Sequence, residues 1–108
     1  MNFKAYSDAW LEAVNDKNTS KIAKSLSDKF IWFNDRYHWS MDKSGTIEWC
    51  IETNFTASDF SCLYENKEVI VGTHNVIEPN NPDSSVIFIA KMQDNQILSH
   101  QYLREFNR

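Results

Sequence analysis

An α+β layer, with helices folded over one face of a sheet, is the architecture expected for this chain of 108 residues. Three observations lead there. Two amphipathic helical stretches open the chain, the aromatic run Phe30-Ile31-Trp32-Phe33 follows them directly, and strand patterns dominate from Ser58 onward. Helices that precede a sheet in this order bury their apolar stripes against it, and such a layer can enclose a pocket.

The first stretch repeats Phe3, Tyr6, Trp10 and Val14 at three- and four-residue steps, a single apolar stripe on a helix. Asp8, Glu12, Asp16 and Lys17 take the other side. Thr19 and Ser20 offer N-caps for a second, short helix carrying Ile22, Ala23 and Leu26. Beyond Asp28 and Lys29, residues 30–33 form a continuous apolar run bounded by polar residues, the pattern of a buried strand. Residues 34–40 are polar and aromatic and read as a loop or an extension of that strand. A third helix is expected to start near Ser44 or Thr46, with Ile47, Cys50, Ile51 and Phe55 on one side. Trp49 lies off that stripe, toward a loop or a partner. Strands are expected over 60–65, 68–78, 86–93 and 96–106. Their turns fall at Asn66-Lys67, at the segment 78–83 that holds both prolines, and at Asp94-Asn95. Short turns between long successive strands make most of the sheet antiparallel.

Composition bounds the function. The length suits one domain, 1–108, and 14% aromatic residues provide rigid walls for a core or a cavity. A net charge of −4 argues against nucleic acid as a partner, which would need a basic face. No apolar run approaches the roughly 20 residues of a membrane span, so no membrane partner is expected. The opening Met1-Asn2-Phe3-Lys4 lacks a secretory pattern, and a cytoplasmic location is expected. Cys50 and Cys62 stand without a CxxC or a nearby histidine pair and read as buried small apolar residues rather than a disulfide or metal ligands. The histidines are scattered with no paired carboxylate, so no metal and no cofactor is called for.

Three segments in order carry a family resemblance. The stretch from Trp10 to Asp35, with its helix, Asn-Asp-Lys-Asn turn, short helix and strand ending Asn34-Asp35, resembles the opening of the nuclear transport factor 2-like superfamily. Ser44-Gly45-Thr46, with Ile47 behind, resembles the small-residue turn that opens that superfamily's third helix. Asp94-Asn95-Gln96-Ile97-Leu98-Ser99-His100-Gln101-Tyr102 resembles its last hairpin and closing strand. The likeness spans nearly the whole chain, and ketosteroid isomerases and SnoaL-like polyketide cyclases are members. It implies a cone-shaped, curved antiparallel sheet wrapped around the N-terminal helices, a pocket at the open end, and a dimer through the outer sheet face.

The resembled catalytic positions have changed here. The isomerase tyrosine falls at Trp10, whose indole N–H is a donor but not a phenolic acid. The isomerase base falls at Asn34, with Asp35 one step on, and strand alternation makes that step decide which of them enters the pocket. The second isomerase carboxyl falls near Ile87, and a cyclase aspartate near Tyr102, while the cyclase histidine matches His100. With Tyr102 facing in, alternation brings Leu98, His100 and Arg104 to the same side, and His74, beside Gly72, joins from another strand. His38, between Tyr37 and Trp39, reads as a loop or interface residue. Two functions follow as expectations. One is binding of a small apolar or aromatic ligand by Trp10, Trp32, Asn34, His100 and Tyr102. The other is an isomerase, cyclase or dehydratase activity with Asp35 or His74 as catalytic base. An interaction domain whose aromatics fill its own cavity is the third.

Overall fold

The computed structural model describes residues 1–107. Helix α1 (Phe3–Asn15) starts where Asn2 caps it, the side-chain oxygen accepting from Ala5 N at 2.8 Å. Its stripe buries Tyr6, Ala9, Trp10, Ala13 and Val14. Lys17, at a positive φ, turns the chain into α2 (Ser20–Ser25). Thr19 makes no side-chain cap there; Asn18 does that work, accepting from Ser20 N at 3.2 Å.

Strand β1 (Leu26–Asn34) follows without a loop, then a 3-10 turn (Asp35–Tyr37) and β2 (Trp39–Asp42). Helix α3 (Lys43–Glu52) comes next, then β3 (Thr56–Glu65), β4 (Val69–Ile77), β5 (Ser84–Gln93) and β6 (Gln96–Phe106). The strands form one curved six-stranded sheet in the order β2-β1-β6-β5-β4-β3. Every pairing is antiparallel except that of β1 with β6, which is parallel. Asp94 and Asn95 both take positive φ, as a two-residue hairpin turn between β5 and β6 requires. Helix α1 is tied to the start of β3 by Asn15, whose amide donates to Ala57 O and accepts from Ala57 N, each at 2.8 Å.

Several sequence expectations change, and Cys62, expected to be buried, is exposed on β3. The run 30–33 is not buried throughout: Phe30 is in the core but Ile31 is 41% exposed, because β1 alternates faces and its outer face has no cover. Helix α3 starts at Lys43, capped by Asp42, whose carboxylate accepts from Gly45 N at 2.8 Å. It buries Thr46 and Cys50 and leaves Ile51 in solvent, and Trp49 turns inward rather than toward a loop. In β6 a register shift opposite Lys91 and Met92 leaves Leu98 unpaired, so buried Ile97, not Leu98, shares the inner face with His100.

Candidate functional site

The concave face of the sheet and the helices over it enclose a cavity of about 270 Å³. Each element contributes by its own periodicity. The α1 stripe delivers Trp10 and Val14, the inner phase of β1 delivers Trp32, β2 Trp39, and α3 Trp49. Phe55 and Phe60 close one side, and His100, Tyr102 and Arg104, alternate residues of β6, form a polar line along another. All four tryptophans of the chain therefore line one space.

Trp32 is at the centre of that wall. Its ring centroid lies 4.9 Å from Trp49, 5.0 Å from Trp39, 5.4 Å from Trp10 and 5.7 Å from Tyr102, mostly edge to face. Trp10 is buried and Trp32 is half-buried, because one side of its indole borders the cavity. Both indole N–H groups are buried without a hydrogen-bond partner. The Trp10 N–H lies beside the Tyr6 hydroxyl without reaching hydrogen-bond geometry.

His100 is buried, stacked on Phe88 at 4.8 Å, and its Nδ1 is 2.7 Å from the hydroxyl of Tyr6. Burial pushes its pKa down to about 3, with His74 nearby adding to the shift, so the ring is neutral at physiological pH. Burial also raises the Tyr6 phenol and keeps it protonated. His74 stacks on Phe60 at 4.5 Å and donates from Nδ1 to the Asn75 carbonyl at 3.3 Å. Burial lowers its pKa, the backbone carbonyl opposing that shift and the Arg104 charge reinforcing it. The Tyr102 phenol is raised, chiefly by burial, with the Asn34 side chain next to it acting in the opposite direction.

Arg104 closes one end. Its Nε donates to Ser84 Oγ at 2.7 Å and its Nη2 to Glu78 at 2.9 Å, and its guanidinium sits 5.2 Å above the Phe55 ring. The pair is largely buried, so the carboxylate offsets a charge that would otherwise face an apolar space.

Of the residues singled out from sequence, Trp10, Trp32, His74, His100 and Tyr102 border the cavity. Asn34 is fully buried beside Tyr102, behind the wall; its Oδ1 accepts from Arg36 N at 2.9 Å and its Nδ2 has no partner. Asp35 does not enter. The 3-10 turn that Asn34 caps carries it to the surface, where Gln101 Nε2 approaches its carboxylate at 3.4 Å. His38 is exposed in the turn that follows. No group of three or more His, Cys, Asp or Glu side chains is placed to hold a metal among the described residues. Sequence reasoning missed Tyr6 as the partner of His100, and Trp39 and Trp49 as wall residues. An unassigned tryptophan on a short helix was the available signal for Trp49.

No family model and no curated protein sequence matches this chain. Solved structures do. A candidate ketosteroid isomerase from Kribbella flavida superposes with a TM-score of 0.81 at 7% identity, over 98% of this chain and 79% of that one. A nuclear transport factor 2-like protein of unknown function from Cytophaga hutchinsonii gives 0.77 at 10% identity, over 97% and 91%. An LEH-like epoxide hydrolase from Mycobacterium tuberculosis gives 0.68 at 12% identity, over 95% and 81%. At these identities the likeness is one of backbone and not of site, and on it the chain has the nuclear transport factor 2-like fold.

Proposed function

We propose that this protein binds a small, flat, apolar or aromatic molecule in the tryptophan-lined cavity. The observation that carries the reading is the convergence of all four tryptophans on one space. Aromatic walls facing a polar strand suit a ring with one polar edge. The cavity, about 270 Å³, falls just below the roughly 300–1,000 Å³ of sites for drug-sized ligands, which favours one or two rings. Trp10, Trp32, His100 and Tyr102 make the contacts in this reading, and Asn34 supports Tyr102 from behind. The test is a titration with a panel of one- and two-ring compounds, followed through tryptophan fluorescence. Saturable quenching that weakens at least about tenfold in Trp49→Ala is expected, since a lost aromatic contact surface is worth over ~1.4 kcal/mol. Absence of saturable change across the panel removes the reading.

The apolar residues on the outer face of the sheet, Ile87, Ile89 and Leu103, support a homodimer paired through that face. Two free cysteines suit a reducing, cytoplasmic setting. A second reading, proton transfer by His74, is favoured by one observation: its Nδ1–H is engaged by Asn75, which leaves Nε2 as a lone-pair base on a cavity residue. Solvent-deuterium uptake into a bound cyclic ketone, lost in His74→Gln, is its expected signature. Uptake unchanged in that variant rejects it.

A further inference from the structure

Tyr6 and His100 lie 94 residues apart in sequence and meet at 2.7 Å in the buried centre of the molecule. A phenol has a single hydrogen to give. Tyr6 is fully buried, and its hydroxyl has no other hydrogen-bond partner among the described residues. If His100 Nδ1 carried the ring proton, the phenol hydrogen would be left buried and unpaired, a penalised state. The hydrogen bond therefore runs from Tyr6 Oη–H to His100 Nδ1. A neutral imidazole that accepts at Nδ1 carries its hydrogen on Nε2. That Nε2–H has no protein partner among the described residues, and its ring borders the cavity. His74 has the opposite arrangement, with Nδ1 donating to backbone. The two cavity histidines are thus fixed in different tautomers, and His100 is the one that offers a hydrogen.

We infer that Tyr6 is a positioning residue that presents His100 to the cavity as a hydrogen-bond donor, so that the bound ring carries an acceptor oxygen, carbonyl or carboxylate, seated on Nε2–H. This rests on the cavity being a ligand site, as proposed above. It separates ligands of one size by chemistry: the acceptor oxygen takes up a donor that an all-hydrocarbon ring would leave unpaired, and an ammonium group, which has no lone pair, would meet donor with donor.

Two measurements decide it. Long-range proton–nitrogen correlation spectra of the labelled wild-type protein report the tautomer of each histidine, and His100 is expected as the Nε2–H form. The Nδ1–H form overturns the inference, whatever binds. Calorimetric titration with acetophenone and isopropylbenzene, matched in size and differing by the carbonyl oxygen, is expected to favour acetophenone about fivefold, the worth of one hydrogen bond. Equal affinities overturn the acceptor-oxygen class but leave aromatic binding standing. Failure of both compounds to bind overturns that class and the binding reading together. In Tyr6→Phe the preference is expected to fall about twofold, to between about two- and threefold, as the tautomers mix and only part of the population presents Nε2–H, since the neutral ring then has no partner to choose between its nitrogens. A preserved preference overturns the role of Tyr6. Should that variant not fold, the wild-type tautomer and affinity ratio still decide.

Discussion

Strands β5 and β6 present two unlike faces built from the same kind of sequence. On the inner face Val86, Phe88, Ala90, Ile97 and His100 are buried against the core and the cavity, and the polar atoms they bring are paired or border that cavity. On the outer face the alternate residues Ile87, Ile89 and Leu103 are no less apolar, yet they are 42%, 39% and 48% exposed. Hydrophobicity therefore does not distinguish the faces. Cover does, and only one face receives it from the helices of this chain. Adjacent residues of one strand should accordingly differ by several-fold in what they contribute to stability.

The widest gap is expected between neighbours. Measured on the dissociated monomer, Phe88→Ala should destabilise by about 3–5 kcal/mol and Ile87→Ala by less than about 1 kcal/mol in denaturant unfolding. Similar losses at both positions would mean that the outer face is covered already in the folded unit. Trp32→Ala, from a residue that is half cavity wall, should fall near the lower end of that range, about 3 kcal/mol. Gly72→Ala probes the inner face from the opposite direction. A Cβ there would come within 2.7 Å of Phe3 and 2.9 Å of Phe88, so overpacking should lower stability by about 1–3 kcal/mol.

Acid sharpens the same contrast. His74 and His100 have folded pKa values below the unfolded value near 6.5, so the stability linked to their neutral forms is complete above about pH 6.5 and is lost progressively below it. Between pH 6.5 and 5, before most carboxylates titrate, stability should fall by up to about 1.4 kcal/mol per pH unit for each histidine that stays neutral in the fold. A flat profile in that window would mean that neither ring is desolvated. The smallest effect on folding is expected from Ile87→Lys, which should leave the monomer's melt almost unchanged. Sedimentation at micromolar concentration should instead fall from near twice 12.7 kDa to the single mass. A wild-type protein that sediments as a monomer removes the outer-face dimer.

What the sequence made legible follows from local rules. The α1 stripe, the order of elements and the turns at Asp94-Asn95 and the proline-bearing segment were readable because periodicity and turn residues act over a few positions. The start of β3 was not, since Thr56, Ala57 and Ser58 are recruited by pairing with β4 and by the Asn15 clamp on Ala57. The choice between Asn34 and Asp35 depended on a side chain capping a three-residue turn, and the phase of Leu98 on a bulge. The Tyr6–His100 contact was beyond reach altogether, since neither residue carries any mark of the other.

The parallel pairing of β1 with β6 also fixes the order in which the molecule can be completed. Trp32 has His100 as its register partner, so the first strand waits for the last before one of its edges is filled. Contacts between sequence-distant strands are slow to form, because loop closure precedes any gain from pairing. On the ribosome, the early helices and β1 emerge with the sides of Trp10 and Trp32 that pack on His100 and Tyr102 uncovered until the last hairpin leaves the exit tunnel. The tryptophans that later line the cavity present, for that interval, apolar surface on the nascent chain. A stall before β6 should leave a species that chaperones recognise through those same rings.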